Sequence, residues 1–434
     1  MKKTNLFSGI LLAAIITLSS CSKDSSDTPG PLDCAGVENG ISATDDCETC
    51  HSSYMYNMIT HEMTPVATYA DTTGMDGMFV LAGSNMDIAS NPMWNADCNY
   101  SFSYEGVSTV SYGGQTDRLN MASELMSALA SGSTTENMLI GMFENSGGYF
   151  SSDDLNASTK QIKSKTAVGA ENALSAAESA AIVTKFGVWF ADYANHVAPI
   201  IDDNTIMATA GSAGWADNRE LNAKGMEYDQ IAAKSLIGAL CLDQVVNGYL
   251  TLTKLDVDNS DRSAGYTSME HHWDEGFGYV YGKFGADNVN GNLDTDGLLG
   301  KYLNKFPEHA TTVFDAFIAG REAIIAEDYT ERDAQAAIIK ETLSIVVAQK
   351  AIDYLEGSAD IASDLSADYF HGLSEGYGFI LSLQFTNDGN GNAYFTHSEV
   401  NAMLDQLESG NGFWDRTESE LDDMALEIRT AAGL

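Results

Sequence analysis

The sequence predicts a mostly α-helical protein, an internally duplicated helical bundle preceded by an irregular segment that contains a small β-hairpin. Three observations predict it. From Thr116 onward apolar residues recur at three- and four-residue spacing, the period of a helix that buries one face. Proline, which breaks helices, nearly vanishes: only Pro199 and Pro307 follow that point. A pattern His-x-x-x-Glu-Gly-aromatic-Gly-aromatic occurs twice, beginning at His271 and at His371.

The N-terminus reads as a targeting segment. Lys2 and Lys3 precede a short apolar run over 10–18, too short for a comfortable membrane span. Leu18-Ser19-Ser20-Cys21 resembles the bacterial lipoprotein signal. That resemblance implies removal of residues 1–20, a lipid on Cys21, and a membrane attachment in the cell envelope, on an outer membrane facing the periplasm or the cell surface. Residues 21–31 are rich in Ser, Asp, Pro and Gly and read as a tether.

Residues 32–66 form a Cys-rich segment. An exported chain sits where disulfides persist, and Cys34, Cys47, Cys50 and Cys98 are the candidates. Cys241 lies in an apolar helical run and reads as a buried free thiol. Cys47-Glu48-Thr49-Cys50-His51 fits the haem-attachment pattern, and Met55, Met58, His61 and Met63 offer a second axial ligand. The acidic positions around these cysteines, Asp33, Asp45 and Asp46 with Gly36 and Gly40, resemble a Cys-rich repeat of exported bacterial proteins, which favours a disulfide staple over haem.

Residues 67–114 are irregular, except that Tyr100-Ser101-Phe102-Ser103-Tyr104 alternates and Val107 to Tyr112 continues with β-branched residues. This predicts a hairpin around Glu105-Gly106. The helical part spans 115–434, with helices over about 116–131, 172–198, 217–252, 265–284, 308–327, 330–356, 363–385, 396–408 and 417–432. Thr417 and Glu420 are spaced as a capping box for the last of these.

Composition excludes several functions. With 62 acidic against 22 basic side chains the net charge is -40, which opposes any nucleic-acid partner. No H-E-x-x-H, G-x-S-x-G or P-loop occurs, so nothing supports nucleophilic catalysis.

The repeat carries the chemistry. His271 and Glu275, like His371 and Glu375, share one helix face at i and i+4. Imidazole plus carboxylate suits a divalent or iron ion, and suits a hydrogen-bonded packing pair equally. The paired glycines, Gly276 and Gly278 with Gly376 and Gly378, predict close approach of a neighbouring backbone. Asp117 and Arg118 open a helix, with Thr116 or Asp117 as its cap and Arg118 as a clamp for an anion or a partner for an acid. Glu227, Gln230 and Lys234 share a helix face that suits a polar interior or, the favoured reading, the surface. Asp388, Asn390, Asn392 and Glu399 have calcium-loop spacing, although Ala393 replaces the glycine of the turn. The acidic loops around Asp256, Asp258 and Asp261, and around Asp294 and Asp296, read as solvated surface.

Two resemblances follow from these residues. His272-x-x-Glu275 with its aromatics and Gly282 is similar to the His-x-x-Glu signature of imelysin-type bacterial proteins, which implies an exported, duplicated, all-α fold associated with iron uptake. The blocks Thr109-Val110-Ser111-Tyr112, Gln115-Thr116-Asp117-Arg118, Met269 to Glu275 and Gly412-Phe413-Trp414-Asp415 resemble an exported lipoprotein family catalogued as a domain of unknown function (4856). The two patterns differ on which imidazole partners Glu275: the repeat pairs His271, the imelysin pattern His272. Together they predict non-enzymatic binding of a metal ion or small ligand between the two motifs. The alternatives are a metal-dependent hydrolase with Glu275 as base, and a surface or structural lipoprotein whose His/Glu pairs only pack.

Overall fold

The computed structural model describes residues 30–44, 50–56, 63–75, 77–84, 86, 99–293 and 298–434. The expected signal, Cys21, most of the expected tether, Asp45, Asp46, Cys47, Cys98, Met58, His61, Asp294 and Asp296 lie outside the described residues. The chain divides into two compact units, residues 1–91 and 92–434.

The N-terminal unit is built of short strands. β1 (Ala43–Thr44) pairs antiparallel with β2 (Cys50–His51). β3 (Ser53–Tyr56) is the centre of an antiparallel sheet between β4 (Met63–Val66) and β5 (Met78–Val80). Ile41, Met55 and Val66 form its core, with Phe79 and Leu81 against them. A disulfide joins Cys34 to Cys50, which takes Cys50 out of a haem-attachment pair. The sheet is more regular than the sequence predicts, because Tyr54 and Tyr56 on one face and Met55 on the other alternate over too few residues to stand out.

The second unit is mostly helical. It opens with the expected hairpin, β6 (Ser103–Tyr104) and β7 (Val107–Ser108), whose turn places Glu105 and Gly106 at positive φ. The hairpin belongs to the helical unit: the Tyr100 ring stacks on Phe277 at 3.7 Å. Helix α1 (Gly113–Ala128) follows, then two short helices, α2 (Glu136–Phe143) and α3 (Asp153–Ala157). Helix α4 (Ala176–Asp192) starts with a Ser175/Glu178 capping box and ends in a π turn and Pro199. The sequence extends the next helix back to 217; instead β8 (Gly214–Ala216) and β9 (Arg219–Leu221) form a hairpin turning at Asp217. Helix α5 begins at Tyr228 (Tyr228–Leu236) and continues through two π-helical stretches, Ile237–Leu242 and Val245–Tyr249. From 234 to 250 every residue is buried, so this helix is the axle of the unit. Cys241, free and buried, sits on it.

After α6 (Leu252–Leu255) come the motif helix α7 (Ser268–Tyr281), the short α8 (Leu298–Leu303), and the long hairpin of α9 (Pro307–Ile325) with α10 (Tyr329–Ala359). The second motif helix is α11 (Ala367–Ser382), followed by α12 (His397–Glu408) and α13 (Glu418–Ala432). The expected Thr417/Glu420 box caps α13. α7 packs on α1, α8 and α9, while α11 packs on α5, α10 and α12.

Candidate functional site

Each motif helix carries its glutamate inward and meets the same kinds of neighbour. The first glycine of each copy faces the Tyr-Leu end of a preceding helix. A Cβ on Gly276 would lie 3.3 Å from Leu250, and one on Gly376 3.3 Å from Tyr354. The second glycine lets a helix cross closely. A Cβ on Gly278 would lie 2.6 Å from Tyr112 and 3.0 Å from Gln115, and one on Gly378 2.4 Å from Lys234. The polar side chains of those crossing helices reach the glutamates. Gln115 Nε2 donates to Glu275 Oε1 at 3.0 Å, and Lys234 Nζ lies 2.7 Å from Glu375 Oε1. A tyrosine completes each set: the Tyr249 hydroxyl donates to Glu275 at 3.1 Å, and Tyr354 reaches Glu375. Tyr302 adds a donor to Glu375 at 2.9 Å.

The imidazoles follow the repeat rather than the His-x-x-Glu spacing. His271 Nε2 lies 3.8 Å from Glu275 Oε2, and His371 Nε2 lies 3.6 Å from Glu375 Oε2. His272 turns away, with Nδ1 2.6 Å from the Lys254 carbonyl oxygen, and burial holds its pKa below the usual value. His271 stacks on Tyr266, and its Nδ1 is buried without a hydrogen-bond partner among the described residues. His371 Nδ1 lies 2.6 Å from Glu227 Oε2.

The second donor set already holds a cation. The Glu375 carboxylate already faces the Lys234 ammonium; burial works to raise its pKa, and the ammonium together with His371 and the Tyr354 hydroxyl holds it below the usual value. Glu227 and Glu375 sit on opposite nitrogens of His371 and cannot converge on one ion. The two motif copies share no partner side chain. Among the described residues no group of three or more His, Cys, Asp or Glu side chains is placed to hold a metal.

The family of the chain is decided by extent. The family described as a domain of unknown function, DUF4856, matches residues 97–434, the helical unit with both motifs. The chain belongs to DUF4856. No curated protein and no solved structure matches it.

Other expected residues of this DUF4856 chain serve the fold. The Asp117 carboxylate accepts from Ser158 Oγ at 2.6 Å. Helix α1 starts three residues before Thr116, whose hydroxyl instead donates to the Gly282 carbonyl. Arg118 donates to the carbonyls of Gln161 and Gly114 rather than to an acid. In the calcium-type loop, Asp388 accepts from the amides of Asn390 and Asn392, while Glu399 caps its own helix through Thr396.

Glu227 and Lys234 are a correction to the sequence reading. They are 3% and 4% exposed, not surface, because α11 covers the face of α5 that carries them. Sequence reasoning also misses Arg321, fully buried on α9, which binds Asp274 at 3.1 Å, Glu270 at 3.0 Å and Thr109 at 2.9 Å. Tyr100 and the Ser111 amide complete the bonds to Asp274 and tie the β6–β7 segment to α7. A buried Arg between two acids of α7 was signalled only by Glu270 and Asp274 lying on one helix face.

A cavity touches the motif glutamate's partners. It holds about 480 Å³ between α1, α5 and α8, and Lys234 and Tyr302, both partners of Glu375, line it. A larger open groove of about 850 Å³ runs along α4 beside Val168, Ala180 and Val183 and contains no motif residue.

Proposed function

We propose that this protein is exported, lipid-anchored through Cys21 in the outer membrane, and binds a small ligand without catalysing a reaction. The targeting residues Lys2, Lys3 and Cys21 support the location. The single observation that carries the binding role is the cavity beside the second motif, of a volume usual for small-molecule sites. In this reading the motif glutamates are internal anchors. Glu375 fixes Lys234 and Tyr302, two walls of the cavity, and both stay in place because the carboxylate is buried with them. The first motif does the equivalent work for Gln115 and Tyr249 and holds the helices together.

Native mass spectrometry of the mature protein, taken from its own envelope, tests this against Ala233→Trp, which fills the cavity. A bound small molecule in the wild type that is absent from the variant is expected. The same mass on both proteins places binding elsewhere, and no bound mass under any extraction leaves the motifs with a packing role. Stoichiometric iron or zinc lost on His371→Ala overturns the ligand reading in favour of a metal. Cys21→Ala is expected to move the protein from the membrane fraction to the soluble fraction.

A further inference from the structure

A separate cavity of about 460 Å³ opens between the β8–β9 hairpin, the start of α11 and the short turn Gly412–Asp415. Two tryptophans, Trp215 and Trp414, and two acids, Asp217 and Asp368, line it, and no basic side chain does. The Nε1 of each indole is buried without a hydrogen-bond partner among the described residues, so each side chain offers the cavity carbon and not its N–H. The N–H lies at the positive edge of an indole, whereas the face is negative. These rings therefore have nothing to donate to an anion and can attract a cation. Among the described residues no donor or cation pairs with the carboxylate of Asp217 or Asp368. The basic residues of the neighbouring chain are already taken: Arg219 faces Glu227 at 3.3 Å, and Arg416 faces Glu420 at 3.4 Å. The positive end of α11 also reaches the cavity, through Ser366. The Ser366 hydroxyl caps the Tyr369 amide at 3.3 Å, and two full negative charges outweigh about half a positive one. The rim is apolar: Met207, bridged to Trp215, is 57% exposed, and Leu365 is 39% exposed. Leu365 and Asp217 both hold a left-handed backbone, at φ 45° and 53°. A bulky aliphatic residue rarely adopts it, and such strain collects where a fold clamps a ligand.

We infer that this cavity binds an organic cation, an amine or quaternary ammonium group on a small body. The site shares no lining residue with the cavity beside Glu375 and does not rest on the binding role proposed there. The indoles attract the cationic head, and the two carboxylates balance its charge. Met207 and Leu365 suit the methyl or methylene groups around it. A bare metal ion gains little here, because carbon walls cannot replace its hydration shell, and no group of three or more metal-ligating side chains is present among the described residues. A quaternary ammonium head, poorly hydrated, loses least on entering; a protonated amine gains more from the carboxylates. The net charge of -40 raises the concentration of every cation near the protein, and the aromatic walls then select organic ones.

Isothermal titration calorimetry on the full chain tests this with choline, putrescine, trehalose and neohexanol, the uncharged carbon isostere of choline. Heat with choline or putrescine, and none with neohexanol or trehalose, is expected; choline alone marks a quaternary ammonium site, putrescine alone a protonated amine site. Asp217→Asn and Asp368→Asn, both at exposed positions, should each weaken cation binding about fivefold with an unchanged melting temperature. Trp215→Leu should abolish it, Trp215→Phe, which keeps a ring, should retain part of it, and Ala233→Trp, in the other cavity, should leave it intact. Neohexanol heat equal to that of choline, or trehalose heat lost in Trp215→Leu, assigns the cavity to neutral ligands and overturns the cation class. Cation heats unchanged in both Asn variants reveal only the diffuse counter-ions of an acidic chain and overturn the site. Loss of cation binding in Ala233→Trp, or no heat with either cation at millimolar concentration, overturns it as well.

Discussion

Single residues decide how closely the helices of this protein can approach. A Cβ on Gly378 would meet Lys234 at 2.4 Å and the Ser235 backbone nitrogen at 2.8 Å, and backbone cannot yield cheaply. Gly378→Ala is therefore expected to lower stability by about 2 kcal/mol or more in chemical denaturation, despite the better helix propensity of Ala. Gly376→Ala, whose nearest neighbour is 3.3 Å away, should stay within about 1 kcal/mol of wild type. Arg321→Ala leaves Asp274 buried without its cation and Glu270 with Arg262 alone, and should cost about 3–5 kcal/mol. Asp243, packed between the two π stretches, is pushed up from 3.8 to about 6 by burial, against the bonds it accepts from Asn172, the Gly169 amide and Asn247. The unfolded chain ionises this group first as pH rises, so its contribution to stability is full below about 4, falls as pH rises towards 6, and is level above it. Asp243→Asn should flatten the pH dependence of the denaturation midpoint in that window. At this scale the sequence revealed the His/Glu/Gly pattern and its close approach, because the pattern repeats. It hid the partners: Lys234 and Glu375 are 141 positions apart, and no local pattern links them (375 − 234 = 141).

Elements were legible in proportion to their length and regularity. Helices α9, α10, α12 and α13 begin within two residues of the positions that periodicity predicts, since each carries an apolar stripe over three turns or more. The short helices α2, α3 and α8 have too few turns to establish a period. The β8–β9 hairpin was read as helix because Arg219-Glu220-Leu221 reads equally well in a helix. The π stretches of α5 leave no trace in a sequence whose apolar residues fall on every side of the helix. Caps, by contrast, are local and readable. Thr267 caps α7 through Glu270 and also donates to Asn259. Thr267→Ala should cost about 1–2 kcal/mol in thermal or chemical denaturation, more than the Thr417→Ala change at the exposed cap of α13.

The whole molecule is governed by its charge and by its axle. A net charge of -40 makes the folded state repel itself, and salt screens that repulsion. The melting temperature should rise as sodium chloride is raised from low to moderate concentration; a flat response would mean that the acids are already paired locally. The axle has a consequence in time. From 234 to 250 every residue is buried, and helices close around it. The π stretches carry longer hydrogen-bonded rings than an α-helix, and in isolation such rings open readily. Inside this unit they do not open one at a time, because the helices packed on them hold them on most sides. Their amide protons should thus exchange with deuterium only when the unit opens as a whole, and so last of all in the chain. An irregular helix becomes the slowest clock in the protein.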